Sequence, residues 1–197
     1  MFPEFHGFKK ISRLTREIII TEKIDGTNGL IYIDETNNIF AGSKSRWLWG
    51  NMQDEIHNDN YGFAYWVKVN KEDLLKLGCG YHYGEWMGKG IQRNYGLAEK
   101  RFYLFNTGRW MEMPGNNPVS LDETRKFCPL CCRVVPILYK GIFNTSIIQS
   151  VLDELKISGS RAVNGFMNPE GIIIYHTAGN LYFKKTIIND EKGKEEK

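Results

Sequence analysis

The sequence has little that would mark a membrane or secreted protein. It contains no run of about 18 consecutive apolar residues, so no transmembrane helix is expected. Residues 1–10 carry no apolar signal-peptide core. We therefore expect a cytoplasmic protein that has no membrane partner.

Cysteine is scarce, with four residues in the chain. In a reducing compartment these are expected to be free thiols. Cys128 and Cys131 have the spacing of half a zinc site, but the other half would need two more ligands, for which Cys79 and His82 are the candidates. Free thiols are the favoured interpretation.

Charge of one sign is not in excess, because 26 basic residues face 23 acidic ones and the net charge is +3. This balance is compatible with a phosphate-bearing partner without requiring one. The chain has 197 residues and shows no repeat or linker, so one domain is expected over residues 1–188, followed by a charged tail over residues 189–197. An aromatic content of 13% argues against disorder.

Short β-rich runs recur between turn signals and alternate with two amphipathic segments. Helices are predicted over residues 63–77 and 146–155, the second capped by Asn144 or Thr145. A hairpin turn is predicted at residues 35–38. Strands are predicted over residues 17–21, 29–33, 38–41, 81–86, 102–105, 134–139, 171–175 and 181–187. Because no regular βαβ alternation is present, we expect an α+β fold with largely antiparallel sheets.

The first candidate site lies at residues 22–28, where an apolar strand ends in a glycine-containing turn. Lys23 stands beside Glu22 and Asp25, and Gly26 allows the backbone to approach a ligand closely. This arrangement suits a lysine nucleophile directed at a phosphate, although a surface turn with an ion pair has the same composition. A lysine must lose its proton to act as a nucleophile, so other cations are expected nearby. Arg46, Lys184 and Lys185 are the candidates.

Four further segments contain residues that suit a nucleotide site. Glu85 enters a glycine-rich turn, where a carboxylate can accept hydrogen bonds from ribose hydroxyls. Phe105 ends an aromatic strand and can stack on a base, or belong only to a core. Glu170 precedes an apolar strand and is a candidate Mg²⁺ ligand. Lys184 and Lys185 lie on the last predicted strand, where they would either hold phosphates or guard an exposed edge.

In their order along the chain, these segments resemble the motifs of the RNA-ligase branch of the covalent nucleotidyltransferase superfamily. The resemblance covers about residues 17–187 and is strongest to the phage RNA ligases of the second type. The matching motifs are Lys23-Ile24-Asp25-Gly26, Gly84-Glu85, the aromatic segment 102–106, Glu170-Gly171 and Phe183-Lys184. The resemblance implies a nucleotidyltransferase fold whose sheets flank a nucleotide pocket.

The resemblance also implies a role for each matched position. Lys23 would attack the α-phosphate of ATP, Glu85 would bind the ribose, and Lys184 would contact the α-phosphate; these three are the expected catalytic residues. Glu170 would help to bind Mg²⁺ or Mn²⁺, and Phe105 would stack on adenine. Further nucleotide-binding positions are expected at Glu22, Asp25, Gly26, Asn28, Arg46 and Lys185.

The implied reaction joins 3′-hydroxyl and 5′-phosphate ends of RNA, in a single strand or a nicked duplex, with DNA as an alternative substrate. Larger ligases continue into a second domain, whereas only about ten residues follow the last motif here, so no appended C-terminal domain is expected. Either the affinity for RNA is then low, or a protein partner supplies it. The alternatives are a DNA ligase, a GTP-using capping enzyme, or a non-catalytic nucleic-acid-binding protein on the same fold.

Overall fold

The computed structural model describes residues 2–8, 10–52, 55–112, 125–188 and 190, and its main body is built from two antiparallel-rich sheets. The helices are α1 (Phe63–Val69), α2 (Lys71–Leu74) and α3 (Thr145–Ser158). The strands are β1 (Glu17–Lys23), β2 (Thr27–Ile33), β3 (Ile39–Gly42), β4 (Trp47–Gly50), β5 (Gly80–Gly88), β6 (Lys100–Leu104), β7 (Trp110–Met111), β8 (Lys126–Phe127), β9 (Cys132–Val134), β10 (Ile137–Ile142), β11 (Gly171–His176) and β12 (Leu181–Thr186).

The smaller of the two main sheets has four antiparallel strands in the order β10-β1-β11-β12. Alternate isoleucines of β1 and β11 form a buried row that packs with Leu152 and Leu155 of α3. Helix α3 begins where the sequence predicts, since the Ser146 amide donates to Asn144 Oδ1 at 2.8 Å. One face of this sheet is therefore closed by α3.

The larger sheet has six strands in the order β4-β3-β2-β5-β6-β9, and only the β6–β9 pair is parallel. One of its faces packs against α1 and α2 in a core rich in aromatic rings. Phe63 of α1, for example, lies 5.1 Å from the Phe102 ring and 5.6 Å from the Trp86 ring, measured between centroids. The opposite face of the sheet carries the site described below.

A third buried cluster joins the two sheets where the chain passes from β1 into β2. Ile24, in that connection, packs with Met87 of β5, Tyr103 of β6 and the neighbouring side chains of Tyr95 and Val135. The burial of Ile24 fixes the residues on either side of it. The connection between Lys23 and Thr27 is therefore held against the six-stranded sheet.

The predicted α+β fold with largely antiparallel sheets is confirmed, and the turn at residues 35–38 is present, with Asp34 and Asn38 hydrogen-bonded across it. Two local predictions were wrong. The helix over residues 63–77 is interrupted at Asn70 and ends in a 3₁₀ turn over Leu75–Leu77. The strand over residues 134–139 is two strands in different sheets, because Pro136 cannot donate to a strand ladder.

Within the described part of the chain, no helix is long and apolar enough to cross a membrane. The four cysteines are free, and no group of three or more His, Cys, Asp or Glu side chains among the described residues is arranged to hold a metal. The predicted tail over residues 189–197 lies outside the described residues except for Asp190.

Candidate active site

Strand pairing brings the first motif and the Glu-Gly motif together. Lys23 is the last residue of β1 and pairs in register with Gly171, the first residue of β11. Lys23 Nζ forms an ion pair with Glu170 Oε2, and both side chains are about one-fifth exposed. A cation and a carboxylate separated by 147 positions in the sequence thus meet at the open end of the four-stranded sheet.

Glu85 lies on β5, directly across from Asn28 of β2. The Gly26 amide donates to Glu85 Oε1 at 3.1 Å, and Asn28 Nδ2 lies 3.5 Å from Oε2. Burial raises the pKa of Glu85 to about 7, an effect that Lys23 opposes and that the negative charge of Glu170 reinforces. The hydrogen bond from Gly26, three residues after Lys23, places Glu85 in the same site as Lys23 and Glu170.

Gly26 is required at its position by a close approach of two backbone segments. A Cβ atom at Gly26 would collide with the Trp86 carbonyl oxygen and lie 2.9 Å from Met87 Cβ. The turn after Lys23 therefore presses directly against β5, which lets the Gly26 amide reach Glu85. A side chain at this position would separate Lys23 from Glu85.

Strand alternation distinguishes the two lysines of the closing strand. Lys184 pairs with Ile173, which in turn pairs with Thr21 on β1. Directly paired residues project from the same face of a sheet, and so do residues two apart on one strand. Lys184 therefore shares the face of Lys23.

Lys185 projects from the other face of β12. It pairs with Ile172, which is buried in the cluster under α3, and its Nζ lies 3.2 Å from Asp190 Oδ2. The structure thus brings Lys184, and not Lys185, to the side of the sheet that carries Lys23.

Phe105 and Arg46 lie at two positions around the site. The Phe105 amide donates to the Tyr83 carbonyl at 3.0 Å, so that Phe105 projects from the same face of the six-stranded sheet as Glu85, and its side chain is 41% exposed. Arg46 ends the turn between β3 and β4, and its Nη2 donates to the Asn58 carbonyl at 3.2 Å. Because Gly42 pairs with Leu30, this turn lies at the end of β2 that also carries Asn28.

The structure does not bring Glu22 to the Lys23 side of β1. Its carboxylate is buried and accepts hydrogen bonds from Ser160 Oγ at 2.6 Å and from the amides of Arg161 and Ala162 at 2.7 and 2.9 Å. Burial raises the pKa of Glu22, and these three donors oppose that change. In this structure the carboxylate anchors the loop after α3, and a nucleotide-binding role for Glu22 remains a prediction.

Asp25 is held by two residues that the motifs did not indicate. Its amide donates to the Tyr95 hydroxyl at 2.9 Å, and its Oδ2 lies 3.0 Å from Arg93 Nε. Tyr95 is buried, has φ of 53°, and packs against the tilted ring of Phe166, with centroids 4.4 Å apart. The glycine-rich stretch 88–96 marks a tight loop in the sequence, but no pattern shows that this loop folds back onto Asp25.

The carboxylates around Lys23 suit a metal that arrives with a nucleotide better than a pre-formed metal cage. Mg²⁺ in nucleotide sites is commonly bound by one or two carboxylates together with phosphate oxygens and water. Glu170 is placed for such a role beside Lys23. Among the described residues no third ligand completes a site made of protein alone.

A model of the family described as RNA ligase matches residues 16–188. Comparison with curated protein sequences gives no significant match. Among solved structures, a substituted Naegleria gruberi RNA ligase with ATP and Mn is similar with a TM-score of 0.59 and 19% identity, over 98% of this chain and 60% of that one. An apo form gives a TM-score of 0.57 and 19% identity, over 94% and 57%.

These structural similarities establish the fold, and this chain spans about three-fifths of the length of the Naegleria chains. The family match covers nearly all of the present chain, and the motif residues fall within it. The chain therefore belongs to the RNA ligase family, within the nucleotidyltransferase superfamily.

Proposed function

We propose that this protein is an ATP-dependent RNA ligase that works through a covalent AMP adduct on Lys23. The observation behind it is the convergence of Lys23, Glu85 and Glu170 in one site, where Lys23 pairs with Glu170 and the turn after Lys23 hydrogen-bonds Glu85. Family membership supports the reaction class, and relatives of the same fold were solved with ATP or AMP and with Mn.

In the first step the Lys23 amine attacks the α-phosphorus of ATP. A phosphorus–nitrogen bond forms, the bond from the α-phosphorus to the bridging oxygen breaks, and pyrophosphate leaves with its electron pair. The amine must first release its ammonium proton to solvent, because Glu170, the carboxylate in contact with it, is the proposed metal ligand. Lys184, on the same face as Lys23, is the cation proposed to neutralise the α-phosphate.

In the later steps AMP passes from Lys23 to the 5′-phosphate of RNA, and the 3′-hydroxyl then displaces it. The first transfer exchanges the phosphorus–nitrogen bond for a phosphoanhydride, which regenerates the Lys23 amine. The second transfer forms the phosphodiester and releases AMP, a better leaving group than the oxide that direct attack on a phosphate would have to expel. Arg46, at the nearby sheet end, is proposed to contact the 5′-phosphate.

The remaining roles follow from the side chains around the pocket. Glu85 is proposed to accept from the ribose hydroxyls, and Phe105, exposed on the same face, to stack on adenine. A bound Mg²⁺ or Mn²⁺ would supply charge neutralisation at the phosphates, and Glu170 is the residue proposed to hold it.

The proposal is tested by ligation of a 5′-labelled RNA with ATP and Mg²⁺, with a nicked DNA duplex and with GTP in parallel reactions. We expect ATP-dependent joining of RNA ends that Lys23→Ala abolishes. Joining of nicked DNA alone would identify a DNA ligase, and adduct formation from GTP alone would identify a capping-type enzyme. Absence of both joining and adduct in folded, AMP-free protein would indicate a non-catalytic binding protein.

A further inference from the structure

A row of aromatic side chains, three exposed and two half-buried, crosses the open face of the six-stranded sheet. The row, here called the aromatic row, consists of Tyr83 and Tyr81 on β5, Tyr32 on β2, Phe40 on β3 and Trp47 on β4. Tyr81, Tyr83 and Trp47 are 50–56% exposed. A contiguous apolar surface that is exposed at both ends commonly marks a binding site.

The rings are arranged as a ladder from one strand to the next. Tyr81 and Tyr32 are cross-strand partners with centroids 4.5 Å apart, and Tyr32 lies 5.8 Å from Phe40 and 6.2 Å from Trp47. The Tyr81 and Tyr83 rings are nearly parallel, at 12°, with centroids 6.2 Å apart. A planar base fits between two parallel rings when the rings are roughly 7 Å apart, which is twice a van der Waals contact distance. A small rotation of the Tyr81 or Tyr83 side chain would therefore admit a base between them.

The aromatic row is continuous with the candidate active site. Tyr83 lies beside Phe105 of the site, because the Tyr83 carbonyl accepts a hydrogen bond from the Phe105 amide and the next residue, Gly84, pairs with Leu104. Two residues further along β5, on the same face, is Glu85. At the other end of the row, Trp47 directly follows Arg46. A strand lying along the row would therefore have one end at the nucleotide pocket.

The charges around the row favour a polyanion. Among the described strand positions on this face, Glu85 is the only carboxylate; Arg133 is basic, and Arg101 is ion-paired with Glu99. Lys44 and Arg46 stand in the exposed turn beside Trp47. Asp34 and Glu35 lie beyond Tyr32, and the Asp34 carboxylate accepts hydrogen bonds from the Thr36 and Asn38 amides of its own turn. The basic residues are therefore at the Trp47 end of the row.

We propose that the aromatic row is a stacking platform for single-stranded RNA that leads an unpaired end into the active site. This proposal rests on the proposed ligase function. Unpaired bases can stack on exposed tyrosine and tryptophan rings, whereas the bases of a duplex are already stacked on one another. A cavity of about 450 Å³ beside Tyr32, Phe40 and Trp47 has the volume to receive a base at the outer end of the row.

The test measures binding of a fluorescently labelled single-stranded RNA by anisotropy, with Tyr81→Ala and Trp47→Ala compared with the unaltered protein. Loss of one base–aromatic stack costs about 1–3 kcal/mol, so we expect each variant to raise the Kd roughly 5- to 150-fold. Tyr81→Phe keeps the ring and is expected to keep the affinity. Tyr65→Ala is the matched control, because Tyr65 is 63% exposed on α1, at the opposite face of the sheet.

Adduct formation from ATP, measured on the same variants, separates this inference from the proposed function. Tyr81 and Trp47 take no part in the proposed nucleotide chemistry, so the adduct is expected to form normally in both variants and shows that they are folded. Unchanged RNA affinity in Tyr81→Ala and Trp47→Ala would overturn the platform. The platform would also be overturned if a fully paired RNA duplex competed with the labelled single strand as well as an unlabelled single strand does. A change in the oligomeric state of the two variants, with RNA affinity unchanged, would overturn it too.

Discussion

At the residue scale, the buried carboxylate of Glu22 and the half-buried carboxylate of Glu85 have different hydrogen-bond partners. Glu22 receives three hydrogen bonds from one loop and is saturated by the protein. Glu85 receives one backbone hydrogen bond and a longer amide contact. A carboxylate can accept about four hydrogen bonds, so Glu85 retains capacity for ligand hydroxyls where Glu22 has little. The two side chains are therefore expected to respond differently to nucleotide.

The raised pKa of Glu85 predicts a pH dependence of stability. Its pKa of about 7 in the folded protein exceeds the ordinary value of 4.5, so between these two values the folded state holds a proton that the unfolded state has lost. The free energy of unfolding is thus expected to fall as pH rises from about 4.5 to about 7 on account of this group. Glu85→Gln removes the titration and should reduce that fall.

The measurement is the thermal midpoint Tm of the unaltered protein and of Glu85→Gln at a series of pH values across this window. The difference in Tm between the two proteins is expected to shift in favour of the variant as pH rises. A difference that does not change with pH would show that Glu85 is not held in a site that disfavours its charge.

At the scale of the element, the register of β12 places the adjacent residues Lys184 and Lys185 on opposite faces of the sheet. Lys184 projects toward the Lys23 face, and Lys185 toward Asp190 on the other face. Lys184→Ala is expected to slow adduct formation about 10²–10³-fold, the usual effect of removing one group that stabilises developing phosphate charge. Lys185→Ala is expected to change the rate little, because Lys185 lies on the face away from Lys23. The loss of its ion pair with Asp190 is expected to lower the stability by at most about 1 kcal/mol.

The rates are compared by single-turnover labelling with ATP, with Asp190→Ala as a companion that removes the partner of Lys185. Similar slowing in the Lys184 and Lys185 variants would contradict the assignment made from strand alternation. If Lys185→Ala slows adduct formation and Asp190→Ala slows it equally, the cause would instead be a disturbed end of β12, where the two residues pair.

Sequence patterns predicted individual elements better than their interruptions. The apolar spacing of residues 63–77 identified the helical region, but the break at Asn70 depends on how α1 and α2 pack against the sheet. The apolar run over residues 134–139 looks like one strand, yet Val134 completes one sheet and Ile137 begins pairing in the other. Local composition does not contain this change of sheet, because it depends on long-range partners.

At the scale of the whole molecule, two sheets bring distant motifs to one site. The order of the motifs in the sequence was enough to indicate the fold and the family. The motif order did not show which face of each strand the predicted residues occupy. It therefore did not show that Glu22 and Lys23 project from opposite faces of β1. Nor did it identify Arg93 and Tyr95, which reach Asp25 from a loop 70 residues away.

We propose that the residues gathered between the two sheets direct AMP to one lysine, Lys23. The most direct test is incubation with ATP and Mg²⁺, followed by proteolytic digestion and mass spectrometry that locates the adenylyl group on a peptide. We predict AMP on Lys23 alone, lost in Lys23→Arg and retained in Lys185→Ala. AMP on another lysine, or an adduct that persists in Lys23→Arg, would contradict the account.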